Sequence, residues 1–407
     1  MTAPSRADAE ALDRDDPLAA FVDRFARPDA DLVYLDGNSL GRLPHATRTR
    51  LRDAVDHEWG DDLVRAWSRW IELPRSVGDR LGEVLGARPG EVLVCDSTTV
   101  NLYKVAAAAL AARPDRPDVL VPEHEFSTDR YVLEGHVAQS SGRRLRYTSP
   151  DDVDEDTAVV VASAVDYRTA ELADVEGATA RAHEAGALVV WDLSHAAGSV
   201  PIDLRGSDVD LAVGCTYKHL HAGPGAPAFL YVREDLQDAL RQPIWGWFGQ
   251  AEQFTMGARY EPASGIDRFL TGTPNVLGLL AVEEGVAVVA EAGVPAIAEK
   301  ARALTTMLID LAREWLTPLG FTVASPTDAM RRGAHVALAH PEARAISLAL
   351  IAEADTVGDF RPPDMLRLGP APLSSRFVDV WDGMDRLCSL VRRGAHAAYI
   401  GAAARVV

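Results

Sequence analysis

The chain has 407 residues, of which 25% are charged and 47% hydrophobic, and its formal net charge is −19. This composition suits a globular protein with a sizeable core, divided into one large and one smaller domain. The acidic balance argues against nucleic acid as the main partner, because no basic stripe is available to neutralise phosphates.

The remaining composition indicates the compartment. The first ten residues are polar and acidic, and no apolar run is long enough to span a bilayer, so we expect a cytoplasmic protein without membrane contact. Cys95, Cys215 and Cys388 are far apart and lack CxxC spacing, which predicts reduced thiols. No cluster of residues has the spacing of a zinc site, and we expect no metal.

The N-terminal part is predicted to consist of helices on either side of one tight turn. Residues 1–30 indicate a leading helix and residues 45–85 a series of helices. Between them, an apolar run breaks into Gly-Asn-Ser-Leu-Gly at 37–41. Such a turn exposes backbone N–H groups that can bind a carboxylate or a phosphate, although an ordinary loop is the alternative.

From residue 91 onward, short apolar runs alternate with helical segments. This pattern predicts a mostly parallel sheet that is buried on both faces, the α/β class. The strands are expected at 91–95, 118–121, 157–164, 187–192 and 209–213, and the helices at 96–112, from about 125, and at 172–185. Ligands bind at the carboxyl ends of such strands, where Thr99, Phe126, Ser163 and Asp192 fall.

The last third of the chain predicts a smaller α/β domain. Residues 243–275 form a connection so long that a functional loop is expected. Helices follow at 276–316, 343–354 and 376–396, with strands near 321–324 and 334–338 and a short strand carrying Arg367 in the stretch 365–373. We therefore divide the chain into an N-terminal segment that packs with the small domain (1–60), a large domain (61–295) and a small domain (296–407).

Lysine usage singles out one residue. Of 41 basic residues only Lys104, Lys218 and Lys300 are lysines. Lys104 and Lys300 lie in alanine-rich helical segments, where we expect exposed solubilising charges. Lys218 stands between an apolar run and a loop rich in glycine and proline, where backbone can approach a ligand closely. Unlike arginine, a lysine amine can lose its proton and form a Schiff base; a salt-bridged loop lysine is the alternative.

The surroundings of Lys218 suit pyridoxal 5′-phosphate. Asp192 ends a buried strand about 26 residues before Lys218, and its carboxylate would keep a pyridine nitrogen protonated, which makes the ring an electron sink. A helix that begins with several hydroxyl residues is an anion site, although an N-cap needs only one of them. The hydroxyls proposed to hold the phosphate are those of Ser97, Thr98, Thr99 and Tyr217.

Two further residues complete this constellation. Phe126 is placed to stack on the cofactor ring, and Arg367 to clamp a substrate carboxylate through a two-point hydrogen bond. Each residue also has an ordinary alternative. Asp192 would cap the following helix, Phe126 would lie in the core, and Arg367 would pair with a surface acid.

Five stretches of the chain resemble the kynureninase family, in order and over nearly the whole length. They are 34–41, 191–198, 215–225, 246–249 and 367–373. The aspartate–lysine pair alone indicates only a fold-type-I pyridoxal-phosphate enzyme, similar to class V aminotransferases. The Gly-Asn-Ser-Leu-Gly and Gly-Trp-Phe-Gly elements narrow the resemblance to kynureninases.

The resemblance implies a homodimer with a shared active site that hydrolyses kynurenine, with 3-hydroxykynurenine as a second candidate substrate, to the matching anthranilate and alanine. It implies catalytic roles for Lys218, Tyr217 and Asp192. It implies cofactor contacts, besides those three, from Thr98, Thr99, Phe126, Asp129, Ser163, His195, Trp247 and Thr273, of which Trp247 and Thr273 reach in from the neighbouring subunit. It implies substrate contacts from Asn38, Ser39, Phe248 and Arg367.

Several positions depart from the family pattern and leave the substrate ring open. His219 and His221 stand where tyrosine and asparagine are more frequent, and Gln250 stands where histidine is common. The histidine that animal kynureninases place against the substrate ring has no counterpart near Trp59. A relative acting on a substituted kynurenine, another lyase of the fold and a non-catalytic cofactor-binding protein are the alternatives. A cysteine desulfurase is disfavoured, because residues 317–333 contain no cysteine.

Overall fold

The computed structural model describes residues 3–402. Its helices are α1 (Arg6–Asp15), α2 (His45–Asp53), α3 (Trp67–Trp70), α4 (Leu73–Leu85), α5 (Thr98–Ala111), α6 (Ser127–Ala138), α7 (Val175–Ala185), α8 (Glu234–Gln237), α9 (Val276–Ala292), α10 (Val294–Leu311), α11 (Ala343–Glu353) and α12 (Phe377–Arg392). Its strands are β1 (Val33–Tyr34), β2 (Val92–Val94), β3 (Asp118–Val121), β4 (Arg144–Tyr147), β5 (Thr157–Ser163), β6 (Leu188–Asp192), β7 (Leu211–Gly214), β8 (Phe229–Val232), β9 (Thr322–Val323), β10 (Val336–Ala339), β11 (Thr356–Val357), β12 (Asp359–Arg361) and β13 (Met365–Leu368).

A seven-stranded sheet forms the centre of the fold, in the order β2-β8-β7-β6-β5-β3-β4. Strand β8 is antiparallel to both neighbours, and the other pairs are parallel. Leu188 and Val190 of β6 pack into one core cluster and Val189 and Trp191 into another, because successive strand side chains point to opposite faces. The predicted α/β fold with a mostly parallel sheet is confirmed.

A four-stranded antiparallel sheet, β12-β13-β10-β9, forms the C-terminal part. The N-terminal segment packs here, since β1 pairs with β11 and α1 packs against α12. Ala9 and Leu35 share an apolar cluster with Leu308 and Leu338. The boundaries proposed at 60/61 and 295/296 stay predictions.

Most elements lie within a few residues of their predicted positions. The long connection at 243–275 holds three short 3₁₀ turns and no α-helix or β-strand. Within residues 3–402, no helix is both long and apolar enough to cross a bilayer. All three cysteines are buried as free thiols.

The expectation for two lysines is wrong. Lys104 is completely buried, and its Nζ donates to the Asp96 carboxylate at 2.7 Å. Lys300 is 5% exposed, with its Nζ 2.7 Å from a carboxylate oxygen of Asp16. Both helices are packed on most of their circumference, so the alanine-rich pattern marked burial rather than a solvated face. Each buried charge is tolerated because a carboxylate is paired with it.

Replacing Lys300 by methionine should destabilise the fold. The change leaves the Asp16 carboxylate, itself 3% exposed, without a counter-charge, and we expect a loss of about 3 kcal/mol in the free energy of unfolding. Urea denaturation would measure it. Arg80→Met is the control, because the Arg80–Glu283 pair is solvent-exposed and should contribute little. Equal losses in both variants would contradict the buried pairing.

Candidate active site

A cavity of about 420 Å³ lies at the carboxyl ends of the central strands. Strands β5, β6 and β7 end at this edge of the sheet, where ligands of parallel α/β proteins bind. Ten of the residues selected from the sequence line the cavity together: Ser97, Thr98, Thr99, Phe126, Asp129, Ser163, Asp192, His195, Tyr217 and Lys218. Asp192 and Lys218 thus face the same space.

The Lys218 amine is fixed by the loop that follows β7. Its Nζ lies 2.9 Å from Nε2 of His195. The backbone carbonyl of Tyr217 accepts the N–H of Gly41 at 2.8 Å. A Cβ at position 41 would collide with the backbone oxygen of Lys218 and with His221. The Gly-Asn-Ser-Leu-Gly turn therefore packs directly onto the lysine loop, which explains why only glycine fits at its end.

Two buried carboxyl groups line the cavity with the lysine. Asp192 is 5% exposed and accepts the N–H of Ser194 at 2.7 Å. Asp129 is 1% exposed, and neither of its oxygens accepts a hydrogen bond from residues 3–402. Burial, followed by the negative charges of Asp192 and Glu125, raises the pKa of Asp129 well above its usual value. The pair therefore holds a proton and suits a cationic ring nitrogen.

The N-terminus of helix α5 supplies a site for an anion, whereas the two carboxyl groups suit a cation. Ser97 caps the helix by accepting the N–H of Val100 at 3.3 Å, so its hydroxyl serves the ordinary N-cap function. Thr98 and Thr99, in the first turn, line the cavity. Free N–H groups, the positive end of the helix dipole and these hydroxyls suit a phosphate. The residues present thus fit both ends of pyridoxal 5′-phosphate, with an amine between them.

Sequence reasoning missed Glu125, which organises one wall of the cavity. Its carboxylate accepts the backbone N–H of Ser163 at 2.7 Å, the Ser163 hydroxyl at 2.6 Å and the N–H of Phe126 at 2.7 Å. Burial raises its pKa. Phe126 is 41% exposed and packs edge-on against Tyr167, at 5.3 Å between ring centroids. An acid beside an aromatic residue at a predicted helix start was the available signal.

An imidazole cluster, defined as His195, His219 and His335, lies beneath Lys218. The rings of His195 and His335 are 5.4 Å apart, and each of the three is at least 92% buried. Burial, then the charge of Lys218, lowers the pKa of His195 well below its usual value. Burial lowers the pKa of His219 to about 3 and that of His335 well below normal. The His195 ring beside the amine is therefore neutral, as are the rings of His219 and His335, and His335 was not foreseen.

The predicted substrate residues lie outside the cavity lining. Arg367 is 1% exposed, and its Nε donates to Asp359 at 2.7 Å while a second N–H donates to the other oxygen of that carboxylate. The hydroxyl of Ser39 donates to Asp359 at 2.8 Å, and the carbonyl of Tyr167 accepts from Arg367. The two-point edge of Arg367 is thus engaged by Asp359, a buried partner rather than the surface acid considered above. Asn38, completely buried, keeps an amide without a partner among residues 3–402.

Three predicted residues of the long connection lie apart from this cavity. Trp247 packs edge-on against Phe248, at 4.5 Å between ring centroids. Phe248 is 5% exposed and packs against Trp67. Thr273 is exposed. None of the three lines the cavity of its own chain.

Comparisons with known proteins agree with the resemblance. The kynureninase C-terminal domain family matches residues 297–387. A kynureninase of Pseudomonas fluorescens is 40% identical over 401 residues, which cover 96% of each chain. A kynureninase of Burkholderia pseudomallei is 41% identical over 395 residues, 94% of each chain.

Solved structures share the fold at lower identity. A C-DES variant with glycine covalently linked to its PLP cofactor has a TM-score of 0.77 and 16% identity, over 95% of this chain and 99% of its own. The apo cysteine desulfurase of Thermococcus onnurineus has a TM-score of 0.74 and 17% identity, over 97% and 99%. These structures show the fold alone.

The imidazole cluster predicts acid lability. Below about pH 6.5 these histidines take up protons in the unfolded chain but stay neutral in the folded chain. The free energy of unfolding should therefore fall as the pH drops from about 6.5 toward 4. His219→Asn should make the slope shallower by up to about 1.4 kcal/mol per pH unit. Urea denaturation across this range measures the slope.

A matched control is His57→Asn. His57 is exposed, and a hydrogen bond to Asp61 raises its pKa, so this change should not make the slope shallower. An unchanged slope in His219→Asn would show that the buried ring takes up its proton freely.

Proposed function

From the kynureninase family, to which this chain belongs, we propose that the cavity hydrolyses the Cβ–Cγ bond of kynurenine to give anthranilate and alanine. The observation that carries the proposal is the position of Lys218, whose amine shares one cavity with Asp192 and His195. The enzyme is a pyridoxal-phosphate-dependent hydrolase of carbon–carbon bonds in ketonic substances. The ring substituent is the open part of the proposal, and parallel assays of kynurenine and 3-hydroxykynurenine would define it.

When it is bound, pyridoxal 5′-phosphate supplies an aldehyde that forms Schiff bases with amines and a ring that withdraws electrons. Thr98 and Thr99 would hold its phosphate at the start of α5. Asp192, with the protonated Asp129 beside it, would keep a positive charge on the ring nitrogen. Ser163, fixed by Glu125, and Phe126 would contact the ring.

Lys218 and its neighbours would move the protons. A neutral His195 accepts an N–H of Lys218 at Nε2 and keeps the amine pointing into the cavity. The Lys218 amine would be the base that removes a proton from Cα of the substrate. The Tyr217 hydroxyl lines the same cavity, and burial raises its pKa, so it stays protonated and can donate or relay a proton.

The substrate would bind between the cavity and β13. Arg367 would take its carboxylate, with Ser39 and Asn38 beside it. The Arg367 N–H groups now engaged by Asp359 would have to be shared or released. Phe248 is 5% exposed and lies outside the cavity of its own chain, so its side chain would have to be uncovered before it could contact the substrate ring.

Lys218→Arg should abolish turnover, because a guanidinium forms no Schiff base and stays protonated. Anthranilate fluorescence measures turnover, and the absorbance spectrum of the purified protein measures the covalently bound cofactor. We expect both signals to disappear. The control is Lys300→Met. Lys300 lies in α10, so this variant should keep the absorbance of the bound cofactor. A Lys218→Arg enzyme with normal turnover would refute the assignment.

We also propose a homodimer with shared active sites. Trp247 and Thr273 lie on the long connection, outside their own cavity, where a neighbouring subunit could receive them. The same connection exposes apolar side chains, with Trp245 62%, Phe254 60% and Met256 71% exposed. Such a patch is typical of a protein interface. We place the enzyme in tryptophan catabolism in the cytoplasm, in keeping with three free thiols.

Hybrid dimers test the shared site. Lys218→Arg removes the amine, and Thr273→Asp would place a negative charge against the phosphate of the partner. Each variant alone should be inactive. Co-expression should restore up to about a quarter of the wild-type activity, because half of the dimers are hybrids with one intact site. Co-expressed variants without activity, together with a monomer in sedimentation, would rule out the shared arrangement.

A further inference from the structure

Lys104 is a buried cation that the proposed mechanism leaves unused. It is the seventh residue of α5, the helix whose first turn carries Thr98 and Thr99. Its Nζ donates to Oδ2 of Asp96 at 2.7 Å and to the carbonyl of Phe269 at 2.8 Å. Sγ of Cys95 lies 3.5 Å away. A fully buried ammonium with these partners is a built feature of the fold, since an unpaired one would be very costly.

Its partner Asp96 belongs to the wall of the cofactor cavity. The Asp96 side chain is 24% exposed and lines the cavity together with Thr98 and Thr99. Its φ is 48°, a left-handed conformation that aspartate tolerates better than most residues. Its carbonyl accepts the N–H of Ala228 at 2.9 Å, which fixes this unusual turn.

The charge of Asp96 opposes the ligand proposed for this wall. A carboxylate near a phosphate repels it, and the repulsion is strong where little water screens it. The Lys104 ammonium lies behind that carboxylate and cancels its charge without entering the cavity. A compact ammonium suits this packed position better than a broad guanidinium, in a chain that otherwise uses arginine for most basic positions.

The same group reaches the long connection. Oδ1 of Asp96 accepts the hydroxyl of Thr271 at 3.1 Å, and the Thr271 carbonyl accepts the N–H of Phe248 at 3.1 Å. Through Asp96 and Phe269, Lys104 therefore ties the start of α5 to the segment that leads to Thr273.

We propose that Lys104 is a positioning residue for the cofactor phosphate, which neutralises Asp96 and joins the phosphate-binding turn to the segment before Thr273. The inference rests on the proposed function, because it takes the phosphate to lie at Thr98 and Thr99.

The test is the affinity of the full-length apo-protein for pyridoxal 5′-phosphate, measured by fluorescence titration. Lys104→Met should raise the dissociation constant about tenfold or more, because the Asp96 charge is then unopposed. Asp96→Asn in the same chain should restore most of the affinity, since asparagine also tolerates the left-handed turn. Lys300→Met is the matched control: it also removes a buried paired lysine, but should leave the dissociation constant unchanged.

Three results would contradict the proposed role of Lys104 or the function on which it rests. If Lys104→Met loses stability like Lys300→Met but binds the cofactor normally, Lys104 is only structural. If the added Asp96→Asn fails to restore affinity, the electrostatic account is wrong. Lys104→Gln carries the same comparison if the methionine variant does not fold, because glutamine keeps an N–H donor without the charge. A wild-type chain that binds no pyridoxal 5′-phosphate would instead overturn the proposed function.

Discussion

The Lys218 amine shares a cavity with the carboxyl groups of Asp192 and Asp129. The rest of the site depends on the charges of these three groups. His195 and its neighbours stay neutral, so they add no competing positive charge around the amine. Burial, followed by the negative charge of Asp192, raises the pKa of Asp129 well above its usual value, so this carboxyl keeps its proton. The parallel sheet makes the arrangement possible, since it brings the ends of β6 and β7 together although their residues are far apart in sequence.

Much of the fold and of the site could be predicted from the sequence. The features that were missed depend on contacts between side chains that are distant in the sequence or lie on neighbouring strands. Residues at predicted strand ends, such as Ser163 and Asp192, did converge, because the ends of parallel strands meet at one edge. Lys104 and Lys300 were misjudged, because a helical pattern does not reveal whether a carboxylate from a distant segment will meet a buried amine. The pairing of Arg367 with Asp359 and the burial of His335 likewise depend on side-chain geometry across neighbouring strands.

A structural neighbour named as a cysteine desulfurase shares this fold, and one fold can serve different reactions. Thiol chemistry of that kind needs an ionised, accessible cysteine. Here Cys388 is 4% exposed in α12, and burial raises the pKa of Cys95 to about 11. Burial also raises the pKa of Cys215, two residues before Tyr217. These thiols stay protonated and inert, which agrees with membership of a family that breaks a carbon–carbon bond.

The engagement of Arg367 by Asp359 has a consequence for selectivity. An arginine that already holds one carboxylate can only trade it, wholly or in part, for another, and such a swap yields a small net gain in affinity. Amino acids in general would then bind weakly at this position and would compete only at high concentration. Discrimination would rest on the aromatic end of the incoming molecule.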